Sequence, residues 1–148
     1  MGRITLEVLN LIKQNISHDV IAGKYKWETI PAEDHELLFV EAEKNLGTHE
    51  SQEILRVIWL LTGKNFPWDT IRTLSLAVRA TQDPRSKKKN LDQLAIKLEE
   101  ARKTIGYTPQ DAPRIKQYAA FYADYYVITA QYYELINDQA NALASYQT

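Results

Sequence analysis

Cysteine is absent from all 148 residues, and with it go disulfides, thiolate nucleophiles and thiolate-held zinc or iron–sulfur centres. Histidine is scarce: His18, His35 and His49 stand in no recognised metal-ligand spacing. Glycine numbers five, and four of these read as helix stops or turns. Gly63-Lys64 lacks the upstream glycine and the following Ser/Thr of a phosphate loop, and there is no nucleophile elbow. These shortages leave little from which to build a catalytic centre. The expectation is a protein that is not an enzyme and that uses no cofactor and no metal. Long apolar runs are missing too. The longest run of large aliphatic residues and Trp, 57–61, is far below the roughly 20 residues that span a bilayer. The start, Met1-Gly-Arg-Ile-Thr, has no secretory pattern, so the expected location is the cytoplasm.

Hydrophobic residues make up 45% and charged residues 25%, the balance of a chain that folds. The length fits a single domain over 1–148. The net charge of −1 conceals an asymmetry. Residues 1–63 carry 6 Lys/Arg against 10 Asp/Glu, whereas residues 64–103 carry 10 against 5. A basic middle third in a near-neutral chain points to a polyanionic partner; ordinary solvated surface charge accounts for it equally well.

Helix punctuation is frequent along the chain and strand alternation is scarce. Ile4, Val8, Leu11, Ile12 and Ile16 recur at helical spacing, and that helix or a short continuation stops at Gly23. Residues 24–30 read as a connection. Pro31 fits the first position of a second helix, with Glu33, Asp34 and Glu36 near its positive end and a stop at Gly47. Thr48 caps a third helix that is apolar nearly all round and ends at Gly63. A fourth follows Pro67 and carries Ile71, Leu74 and Val78 on one face. Residues 84–90, polar and lysine-rich, read as an exposed loop, with Asn90 and Gln93 as the capping box of a fifth helix. Its seam is Leu91, Leu94, Leu98, Ala101 and Ile105. A long sixth helix runs from Pro113 to about Ile136, and a last one holds Ala142, Leu143 and Tyr146. The fold class is all-α, a bundle of six or seven helices.

Three features could carry function. His35 lies among Glu33, Asp34, Glu36, Glu41 and Glu43, which could hold a divalent cation, but carboxylates at a helix start serve the dipole anyway. Arg72 and Arg79 share one side of the fourth helix, Arg85, Lys87, Lys88 and Lys89 follow, and Lys97, Arg102 and Lys103 lie beyond. An antiparallel helix pair joined by a lysine-rich loop would present these nine on one edge, which would bind phosphates without reading bases. Six tyrosines, Tyr118, Tyr122, Tyr125, Tyr126, Tyr132 and Tyr133, crowd the sixth helix. Aromatics so placed can stack unpaired bases, but that helix has few cations beyond Arg114 and Lys116, which favours core and subunit contact.

Two resemblances accompany these features. Tyr126, Ala130, Tyr133, Ala142 and Tyr146, with a turn at Asn137-Asp138, resemble one tetratricopeptide repeat. That likeness implies a helical protein-interaction adaptor. Over its whole length, a compact, cysteine-free, all-helical chain with one basic face resembles the small subunit of type I CRISPR effector (Cascade) complexes, subtype I-D among them. This second resemblance implies a subunit of a ribonucleoprotein assembly in antiviral defence, stacked in several copies. Its basic residues, here Arg72, Arg79, Arg85, Lys87, Lys88 and Lys89, would hold a displaced DNA strand. The expected partners are thus a DNA or RNA backbone and other protein subunits, copies of itself included, with no membrane.

Overall fold

Most helix boundaries written in the sequence reappear in the structure, a computed structural model described for residues 2–63, 65–106 and 108–136. Seven α-helices form among the described residues: α1 (Arg3–Lys13), α2 (His18–Gly23), α3 (Ala32–Lys44), α4 (His49–Thr62), α5 (Pro67–Ala80), α6 (Pro84–Lys103) and α7 (Ala112–Leu135). There is no strand among the described residues, so the chain is all-α. No helix among them is long and apolar enough to cross a membrane. The helix expected beyond Asn137 lies outside the described residues. Where sequence length suggested one domain, contacts group the chain into two compact units, Met1–Phe66 and Pro67–Thr148.

In the first unit α1 ends where Asn15 takes a left-handed backbone, φ 60°, and the Ile16 N–H reaches back to the Leu11 carbonyl at 3.1 Å. Ser17 then caps α2 by accepting from the Val20 N–H. Residues 24–30 are more than a connection. They form a short 3-10 turn, Trp27–Thr29, that drives Trp27 and Ile30 into the core. The Trp27 ring stacks on His35 at 3.8 Å and meets the edge of Phe39. α2 and α3 both pack on α4, which buries Ile54, Leu55, Val57 and Ile58 and leaves Trp59, Leu60 and Leu61 partly exposed.

Gly2, the N-cap of α1, has no side chain with which to cap that helix. Asp34, from the first turn of α3, does it instead: its Oδ1 accepts from the Thr5 N–H at 3.0 Å and the Thr5 hydroxyl at 2.6 Å. A Cβ on residue 2 would collide with that carboxylate, so a larger residue there would displace Asp34 from its place on α1. Asp34, expected to serve its own helix, also anchors its neighbour.

In the second unit α5, α6 and α7 pack pairwise. Residues 84–90 are not a loop. Asp83 accepts from the Ser86 N–H at 2.9 Å and Pro84 occupies the first turn, so α6 starts six residues before the expected Asn90 cap. Leu91, Leu94, Leu98 and Ala101 are its buried seam, as the spacing requires. Ahead of α7 the Asp111 carboxylate accepts from the Thr108 N–H at 3.1 Å and the Thr108 hydroxyl at 2.6 Å. Of the 24 residues of α7, only Ile128 and Ala130 are buried.

Candidate nucleic-acid interface

The early start of α6 changes the status of its lysines. In a helix every fourth residue faces the same way, and Lys87 falls on the face of Leu91 and Leu94. It is 5% exposed. Its ammonium donates to the Val78 carbonyl at 2.7 Å and the Thr81 carbonyl at 3.2 Å, satisfying groups left open at the end of α5. Burial lowers its pKa, and two of the ammonium's three donors are already committed to main-chain carbonyls. Lys87, expected among the phosphate contacts, is a helix cap and is withdrawn from that set.

The other eight cations do not form one edge. Arg72 is half-buried on α5, and Arg79 is ion-paired with Asp124 of α7. Lys97 bonds Glu100 at 3.1 Å, and the Arg102 Nε bonds Glu99 at 3.1 Å. Between the two ends of α6 the exposed positions include Asp92, Ile96, Glu99 and Glu100. Lys88 and Lys103, fifteen residues apart, are separated by about 22 Å of helix. Two groups therefore remain on α6: Arg85, Lys88 and Lys89 at its start, and Arg102 and Lys103 at its end.

The two ends differ electrostatically. Arg102 and Lys103 sit where the helix dipole welcomes positive charge. Arg85, Lys88 and Lys89 sit in the first two turns, where the dipole opposes it; α2, α3, α4 and α5 carry acids there, Asp19, Glu33, Glu50 and Asp69 among them, whereas α1 and α7 carry none. All three are exposed. Lys88 is bonded to Asp92 at 2.9 Å, a surface pair that exchanges readily for another anion.

The tyrosines complete the surface. α6 and α7 lie side by side, with the start of α6 beside the later turns of α7: Lys88 feels the Tyr125 and Tyr133 hydroxyls, while Tyr118 is near Glu99 and Arg102. Tyr125 and Tyr132 pack on the Val78–Leu91–Ile128 cluster. Tyr126 and Tyr133 are half-buried, and each meets a neighbouring ring edge-on. The Tyr126 hydroxyl lies 3.5 Å from that of Tyr122, which raises the Tyr122 pKa to about 12. Reading α7 alone, its scarcity of cations counted against a nucleic-acid track; the fold brings Lys88 of α6 beside the α7 tyrosines. No periodicity within one helix could have revealed that.

In the cluster around His35, the imidazole and Asp34 are both engaged elsewhere. The His35 Nε2 donates to the Trp27 carbonyl at 2.7 Å, its ring is stacked, and Asp34 is turned to α1. No group of three or more His, Asp or Glu among the described residues stands arranged around a metal position. No protein-family model, no curated protein and no solved structure matches the chain.

Proposed function

We propose that the chain is a non-catalytic subunit of a larger assembly, working in the cytoplasm, that holds a nucleic-acid backbone at the start of α6. One observation carries this reading. Arg85, Lys88 and Lys89 are exposed on helical turns whose own dipole disfavours them, an arrangement that a phosphate chain would relieve. Half-buried tyrosine rings beside Lys88 add faces on which bases stack. Lys and Arg neutralise any phosphate equally, which suits backbone holding, and the assembly proposed is a ribonucleoprotein such as a type I CRISPR effector.

The test is fluorescence anisotropy with labelled single-stranded and duplex DNA and with RNA. With three cations engaged, log K should fall with log salt at a slope of about −2 on single strands and about −3 on duplex. Reversing Arg85, Lys88 and Lys89 to Glu should abolish binding, whereas Lys97→Glu, remote on α6, should leave it. Equal binding by the triple variant would overturn the reading.

A second reading has its own observation. Ile115 is 41% and Val127 45% exposed on α7, which suits a helix covered by a protein partner. As an adaptor the chain would copurify with a protein in moderate salt, and Val127→Asp or Tyr126→Ala would release it.

A further inference from the structure

The two sides of α7 differ. Tyr125, Ile128 and Tyr132 turn inward onto Val78 and Leu91. Half a turn away, at alternating steps of four and three, come Lys116, Ala120, Ala123 and Val127, with Glu134 one heptad beyond; all five are exposed. That spacing is the seam of a two-helix contact. Its members are arranged about a centre. Lys116 and Glu134 stand nine residues either side of Tyr125, and Ala123 and Val127 stand two residues either side. Ile115 and Leu135, 41% and 39% exposed, flank the strip at its ends. Among the described residues neither Lys116 nor Glu134 has an ion-pair partner within the chain.

We propose that two copies of the chain pair through this face of α7, antiparallel, as a closed two-fold dimer. Laid antiparallel about Tyr125, the strip is complementary to itself. Lys116 of each copy meets Glu134 of the other, Ala123 meets Val127, and Ile115 meets Leu135 at the rim. A parallel copy would instead set lysine on lysine and glutamate on glutamate. Ala120 falls opposite Ala130, which the chain's own packing covers; both are small, so the axes can approach to about 8 Å. Each contact occurs twice and the interface is used up at two copies, which makes a dimer and not an open stack. The proposal rests on the adaptor reading for its exposed face and names the partner as the chain itself. It is independent of the cations on α6.

Sedimentation equilibrium of the full chain should give twice 17.1 kDa. A monomer at every concentration overturns the proposal, whether the face then serves another protein or the chain's own residues 137–148. Retention of a foreign protein by a monomeric chain would keep the adaptor reading and refute this one. Lys116→Glu and Glu134→Lys should each weaken the dimer at least about tenfold, because each sets like charges together at both ends. The double variant should return to within about threefold of the parent, since the pairs are restored with reversed sign. Failure to recover would rule out the register. Both side chains are exposed, so the circular dichroism of the single variants should match the parent's and exclude misfolding. The chain has no cysteine, so Ala123→Cys protein mixed with Val127→Cys protein should oxidise mainly to the mixed dimer. An excess of like pairs would show parallel helices and overturn the antiparallel arrangement.

Discussion

Asp34 and Lys87 are opposite charges with the same task, each completing the end of a helix to which it does not belong. Because both are buried, removing either leaves main-chain groups without partners in a place water reaches poorly. Asp34→Ala should cost about 2–3 kcal/mol of stability, read from urea unfolding at neutral pH. Lys87→Met keeps most of the buried stem and loses the ammonium, so it should cost about 2 kcal/mol while leaving nucleic-acid binding intact. The same variant thus separates a capping lysine from a phosphate-binding one. Tyr25 supplies a pH-dependent case. Burial and its 2.8 Å hydrogen bond to Glu7 raise its pKa from 10.0 to about 12. The folded chain therefore holds this proton more tightly than the unfolded one. The associated stability is complete below about pH 10 and is lost as pH rises toward 12. Tyr25→Phe should flatten that part of the melting-temperature profile between pH 9.5 and 11, within about one unit of these values.

At the scale of elements, α6 decides most. Its N-terminal two turns carry Arg85, Lys87, Lys88 and Lys89, a composition that argues for solvent-exposed loop and against helix. Two interactions reverse that balance: the Asp83 cap and the anchoring of Lys87 into the end of α5. Asp83→Ala should cost about 1 kcal/mol and fray those turns, visible as faster amide exchange confined to residues 84–89. If the cations act as a group, the same variant should weaken nucleic-acid binding without changing any charge that contacts phosphate. α7 shows the converse. Its tyrosines repeat at helical spacing, which reads as a buried stripe, yet only Ile128 and Ala130 of that helix are buried. Spacing says which residues share a face; what covers the face is a separate matter.

For the molecule as a whole, charge is sorted by element more than by surface. The positive middle third of the sequence divides into a capping lysine, cations paired to nearby acids and exposed groups at the two ends of α6. Binding should accordingly follow a few phosphates and be weakly dependent on pH between 6 and 8, because Lys and Arg keep their charge there. Binding that strengthened markedly on acidification would point to histidines and away from α6. The sequence by itself determined the all-helical class. Cap residues such as Thr48 and stops such as Gly47 and Gly63 act within a turn of where they stand, and local rules suffice to read them. It also determined the buried seams of α4 and α6, since apolar periodicity reports a face directly. Only the tertiary structure decided the partners of that periodicity. Asp34 reaches α1 from 29 residues away, His18 reaches Glu53 from 35, and the α6 lysines meet the α7 tyrosines. The physical reason is that a hydrogen bond or ion pair between helices depends on packing and rotamer, neither of which is encoded within one turn of chain.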